Sequence, residues 1–186
     1  MNIKKLILIG ASTGGPGQIQ KIIKSLGKKS DTAIIIAQHM QSSYLVSFAN
    51  QLNKNSLMEV ATAKDKSAIK ANMVYILDEN YEIKKQGGNL VFSKYEQKLN
   101  YSPNIDLLFN SVATIQNGLK ILCVVLTGIG NDGAAGSLNL AKNGSTCIYE
   151  DEKSSIVYGM PKAASELNPS ALQLGISEIC NKIGSF

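Results

Sequence analysis

Six short apolar runs, most of them separated by enough chain for a helix, constrain this sequence more than any other feature. They predict strands at Lys5–Gly10, Thr32–Ala37, Met58–Ala63, Met73–Leu77, Lys120–Thr127 and Ser145–Tyr149. Four of the runs are apolar without interruption, Thr32–Ala37 and Lys120–Thr127 among them. A strand of that kind is buried on both faces, which is the situation of a parallel sheet covered by helices on each side. Helical periodicity fills the intervals at Gln18–Leu26, Ser43–Leu52, Ile105–Gln116, Gly133–Lys142, Pro161–Leu167 and Ala171–Ile183. The alternation predicts an α/β fold, a doubly wound, mostly parallel sheet flanked by helices. Between Tyr81 and Ser93 the pattern becomes strict alternation on both sides of Gly87-Gly88, which predicts an antiparallel hairpin at one edge.

At 186 residues the whole chain, 1–186, reads as one domain with a core large enough to need no disulfide or metal. Cys123, Cys147 and Cys180 are odd in number, lie in apolar contexts and lack CxxC spacing, so they read as buried thiols of a cytoplasmic protein. The apolar run after Met1 is too short for a signal peptide, and none approaches the roughly 20 residues that cross a bilayer. No membrane insertion is expected. The net charge of +5 comes entirely from lysine, scattered along the chain without a single arginine. Lysine offers a point charge on a flexible stem rather than the planar fork that reads bases and clamps phosphates. Nucleic acid is therefore not an expected partner.

Eight of the sixteen glycines fall in two stretches, Gly10 to Gly17 and Gly128 to Gly136, each just after a predicted strand. In open α/β sheets ligands bind beyond the carboxyl ends of the strands, so these two turns mark the expected site. The first turn, Gly10-Ala11-Ser12-Thr13-Gly14-Gly15, lacks the middle glycine of a dinucleotide loop. The second strand ends in Gln38-His39 rather than in an acid, so a nucleotide-binding domain is a weak alternative. The same turn fits G-x-S-x-G, which lifts a serine hydroxyl to the rim of a sheet. A serine nucleophile needs a base, and the chain holds one histidine, His39, at the end of the next strand. A carboxylate must then orient the imidazole. Asp132, inside the second glycine stretch, is the candidate, while the run Glu150-Asp151-Glu152 reads as solvated. The bland alternatives are helix capping by Ser12 ahead of the first helix and by Asp132 ahead of Gly133–Lys142. With one histidine and dispersed cysteines, neither a metal site nor a cofactor is expected.

Ile9-Gly10-Ala11-Ser12-Thr13-Gly14-Gly15, Gln38-His39-Met40, Pro103-Asn104-Ile105-Asp106, Leu126 to Ala134 and Tyr158-Gly159-Met160-Pro161 together resemble the catalytic domain of the chemotaxis receptor methylesterases, the CheB family. The match runs in order from about residue 5 to about residue 180. The resemblance implies a cytoplasmic protein-glutamate methylesterase, which also deamidates receptor glutamines, acting on the cytoplasmic helices of methylated chemoreceptors. It implies Ser12 as nucleophile, His39 as general base and Asp132 as orienting carboxylate; the backbone N–H groups of the two glycine-rich turns, those of Thr13 and Ile129, are the expected oxyanion donors. A catalytically silent receptor-binding module of the same fold is the alternative. Most members carry an N-terminal receiver domain, and here the first strand begins within a few residues of Met1, so either constitutive activity or control by a separate regulatory protein is expected. The chain also departs from the family at Gln41-Ser42-Ser43-Tyr44 after the histidine, at Tyr101-Ser102 ahead of Pro103, and at Ile129. Packing is the expected role of Met160, and a solvated surface that of Lys162.

Overall fold

The computed structural model describes residues 3–115 and 118–186. In chain order the elements are β1 (Lys5–Ala11), α1 (Gly15–Ser25), β2 (Thr32–Gln38), α2 (Ser42–Asn53), β3 (Glu59–Thr62), β4 (Met73–Ile76), β5 (Tyr81–Gln86) and β6 (Asn89–Lys94). They continue as α3 (Ile105–Ala113), β7 (Lys120–Val125), α4 (Ala134–Lys142), β8 (Thr146–Glu150), α5 (Met160–Leu167), β9 (Leu172–Leu174) and α6 (Ile176–Ser185). Seven strands form one sheet in the order β3-β4-β2-β1-β7-β8-β9, and each pairing in it is parallel.

The uninterrupted apolar runs take the central places. All seven residues of β2 are buried, as are six of the seven in β1. Successive side chains alternate between the faces, so β1 sends Leu6 and Leu8 into one core and Ile7, Ile9 and Ala11 into the other. The first core is covered by α3, α4, α5 and the β5–β6 pair, the second by α1, α2 and α6. Strand order reverses at β1, where the chain goes first outward through β2 and later outward through β7. The carboxyl ends of β1, β2 and β7 therefore meet at the topological switch point of the sheet.

Three expectations change. The hairpin forms, but as a separate two-stranded sheet rather than an added edge. Its Tyr81, Ile83, Leu90 and Phe92 are buried in the first core, and the Ile83 N–H donates to Ser111 Oγ on α3 (2.9 Å). It is thus a lid on one face of the sandwich. The predicted helix Ala171–Ile183 is split into β9 and α6, because Leu172–Leu174 pairs with β8 before the helix begins at Ile176. Helix α3 ends at Ala113, and Gln116, the predicted end, lies outside the described residues. Cys123 and Cys147 are buried and lie opposite one another on β7 and β8, while Cys180 is only partly covered.

Candidate active site

Parallel pairing of β1 with β2 sets Ala11 opposite Gln38, so the next residue of each strand, Ser12 and His39, leaves the carboxyl edge side by side. The His39 N–H donates to the Ala11 carbonyl (2.9 Å), continuing the ladder one step past the strands. The turn after β7 closes against them from the other side. The Ser12 N–H donates to the Thr127 carbonyl (3.0 Å), and Thr127 Oγ1 donates to the Thr13 carbonyl (2.9 Å). Gly128 makes this approach possible, since a Cβ there would stand 2.7 Å from that of Ser12 and overlap Met160 Sδ. Met160 is fully buried, and its N–H donates to the Gly128 carbonyl (2.8 Å), as befits a packing residue.

His39 Nε2 lies 2.7 Å from Asp132 Oδ2. Asp132 is buried, and its two oxygens also accept the N–H groups of Ile105 (2.8 Å) and Asp106 (2.9 Å), the first two residues of α3. Its negative charge therefore sits at the positive end of a helix as well as beside the imidazole. With Nε2–H donated to the carboxylate, Nδ1 is the ring nitrogen free to accept a proton, a reversal of the ring roles in the familiar serine-protease template. One face of the ring is stacked on Tyr101, 4.5 Å between centroids and 7° between planes. Among the described residues Ser12 Oγ makes no hydrogen bond, so nothing in the resting arrangement ties the hydroxyl away from the base. Nor do the N–H groups of Thr13 and Ile129 donate to any described residue.

Both capping alternatives change. The residue preceding α1 is Gly14, in the left-handed region at φ 84°, and the Ser12 side chain caps nothing. Gly133 occupies the corresponding place before α4, while Asp132 binds the start of α3 instead. Asp106 returns the favour, its Oδ1 accepting the Gly136 N–H in the first turn of α4 (2.6 Å). Burial raises the Asp106 carboxyl above the ordinary range and the nearby Asp132 charge adds to this, while the Gly136 N–H opposes it. Glu150, expected in solvent, is fully buried: its oxygens take hydrogen bonds from the Thr127 N–H (2.8 Å), Ser154 Oγ (2.9 Å) and Gln18 Nε2 (2.5 Å). Lys162 is exposed, 3.9 Å from an equally exposed Glu166.

Sequence reasoning assigned no role to Gln38, Asp106, Tyr101 or Glu150. The Asn104-x-Asp106 spacing at a helix start signals capping, which could have pointed to Asp106. For Tyr101 no local signal exists, because its stacking partner His39 follows β2, remote in sequence from the loop that carries Tyr101. An open cleft of about 310 Å³ adjoins the site, bordered by Lys98, Tyr101, Asn104, Asp106, Asn131 and Asp132. Ile129 is 63% exposed beside the serine turn, and Ile156, 69% exposed, lies against Gly14 within it. Among the described residues no group of three His, Cys, Asp or Glu side chains is placed to hold a metal ion.

The family model described as CheB methylesterase matches residues 7–183. This chain belongs to the CheB methylesterase family. A protein-glutamate methylesterase/protein-glutamine glutaminase of Sulfurimonas denitrificans is 38% identical over 186 residues, covering 98% of this chain and 52% of that protein. One from Saccharophagus degradans is 34% identical over 183 residues, covering 97% of this chain and 50% of its own. The chain thus spans about half the length of these curated CheB relatives. Against the crystal structure of the Thermotoga maritima CheB methylesterase catalytic domain the fold superposes with a TM-score of 0.90 at 33% identity, covering 97% of both chains. The doubly wound sheet with its separate hairpin is therefore the CheB catalytic-domain fold. Among the described residues no helix is long and apolar enough to cross a membrane.

Proposed function

We propose that this chain is a protein-glutamate methylesterase that hydrolyses γ-methyl glutamate esters on the cytoplasmic helices of chemoreceptors, and that it deamidates receptor glutamines by the same chemistry. The observation that carries the reading is the 2.7 Å contact of the only histidine with a buried carboxylate, one ladder step from the serine. In this reading Ser12 is the nucleophile, His39 the general base and Asp132 the carboxylate that orients it. Neutral His39 takes the Ser12 proton at Nδ1 as Oγ attacks the ester carbonyl, forming the tetrahedral adduct. The imidazolium returns that proton to the departing methoxy oxygen, and methanol leaves an acyl-enzyme. Water then attacks the acyl carbon, giving one proton to His39, which passes it to Ser12 Oγ as glutamic acid departs, and the acid releases its remaining proton to solvent.

Charge builds on the carbonyl oxygen in both addition steps. The free N–H groups of Thr13 and Ile129, one from each glycine-rich turn, are the donors proposed to meet it, and a donor of this kind is typically worth about 100- to 1000-fold in rate. Stacking on Tyr101 holds the plane of the imidazole in one orientation. The substrate locates the work in the cytoplasm, with chemoreceptors as partners.

The test is methanol release from methylated receptor fragments, wild type against Ser12→Ala. Release by the wild type and loss of nearly all of it in the variant supports the esterase. Release that survives in Ser12→Ala removes the serine from the mechanism, and background release from both leaves the silent receptor-binding module as the better reading. Ammonia release from receptor glutamines tests the deamidase activity in the same way.

A further inference from the structure

Gln38, the last residue of β2, has no place in the chemistry above, yet it is 1% exposed and its amide is spent entirely on that neighbourhood. Its Nε2 donates to the Ser12 carbonyl (2.9 Å) and to the His39 carbonyl (3.1 Å). Both facing atoms are acceptors, so only the NH₂ group can point at them and the amide orientation is fixed. The other end of the group, Oε1, is buried without a hydrogen-bond partner. A buried acceptor left unpaired is costly, and such a group in a folded protein calls for an explanation. The chain also makes room for it. Gly15, the first residue of α1, would overlap Gln38 Oε1 if it carried a Cβ.

The position explains the cost. The β1–β2 register ends at Ala11 opposite Gln38, and the His39 N–H to Ala11 carbonyl bond is the last rung of the ladder. From there the two chains separate, β1 into the turn before α1 and β2 into α2. Ser12 and His39 thus lie one step past the paired register, where that single rung is the last backbone tie between the two strands. Resting on the esterase reading, we infer that Gln38 is a positioning residue whose buried amide clamps the carbonyls of Ser12 and His39 together and sets the distance between nucleophile and base. It touches neither substrate nor reacting atoms. Its effect falls on kcat, because a misplacement of about 1 Å between reacting groups costs on the order of 100-fold, while the receptor-binding surface is untouched.

The experiment measures kcat and KM for methanol release from methylated receptor fragments with wild type, Ser12→Ala, Gln38→Met and Gln38→Glu. Methionine keeps the length of the side chain and removes both donors. Glutamate keeps its shape and turns the clamp into a carboxylate facing two carbonyl oxygens. The expected result is a kcat lowered about 10- to 100-fold in Gln38→Met, and at least as far in Gln38→Glu, with KM within twofold of wild type in each. A kcat within twofold of wild type in either variant, or a loss confined to KM, overturns the inference while leaving the esterase reading intact. Should Gln38→Met fail to fold, the near-isosteric Gln38→Glu decides alone. If wild type and Ser12→Ala are equally silent, the esterase reading falls and the positioning role falls with it.

Discussion

Glu150 shows how far a single residue can depart from what its local sequence suggests. It heads an acidic run, yet the fold closes over it and supplies three donors, from Gln18, Thr127 and Ser154. Burial pushes its carboxyl above the ordinary range, and those hydrogen bonds only partly oppose the shift. The folded state therefore holds this proton more tightly than the unfolded chain does. The contribution to stability is fully present below the ordinary carboxylate value, about 4.3, and is lost as pH rises through the raised one. Glu150→Gln removes the titration, so its melting temperature should move in its own favour relative to wild type between about pH 4 and pH 7. Parallel thermal melts at the two pH values check this, and a difference that stays constant would contradict it. At this scale composition and spacing left few choices and so singled out Ser12, His39 and Asp132 as the proposed triad, whereas Glu150 and Gln38 acquire their surroundings only from chain segments remote in sequence.

Helices α3 and α4 hold one another by crossed carboxylates. Asp132, just ahead of α4, accepts from the first two N–H groups of α3, and Asp106 on α3 accepts from the first turn of α4. Asn104 completes the start of α3, its Oδ1 accepting the Leu107 N–H (2.7 Å) while its own N–H donates to Asn80 Oδ1 (2.7 Å). A helix start held this firmly is also a platform for the Asp132 carboxylate. Asn104→Ala should cost about 1 kcal/mol of stability, the usual loss of an N-cap, and should lower kcat, because the N–H groups that orient Asp132 sit in the turn it caps. Denaturant unfolding and methanol release measure the two effects, and a stability loss with unchanged kcat would separate the cap from the site. The sequence did not announce that Asp132 would serve the other helix, since that depends on where two elements cross.

Across the whole molecule the site depends on close approach between layers, and Phe109 stands at the point of contact. It is fully buried, and a Cβ added at Gly10 in β1 or at Gly136 in α4 would meet its side chain at 3.3 Å and 2.7 Å. Phe109→Ala should cost roughly 3–5 kcal/mol, the range for emptying a buried aromatic site. In a domain of this size each kcal/mol moves Tm by about 2–4 °C, so a fall on the order of 10 °C is expected in a calorimetric scan. A shift under 2 °C would mean that the layers repack without it.

By itself the sequence determined the class of fold and the positions of the central strands, and it singled out the three candidates for the proposed triad. Each of these follows from local pattern: unbroken apolar runs need cover on both faces, and glycine-rich turns with one serine and one histidine restrict the chemistry. The tertiary structure alone decided that the hairpin covers a face, that Leu172–Leu174 joins the sheet, and that Asp132 crosses to α3. It also decided which polar groups lose their water, Glu150 and Gln38 above all. Burial and hydrogen-bond partnership are set by which distant segments meet, and at these positions no period of 2 or 3.6 residues carries that information.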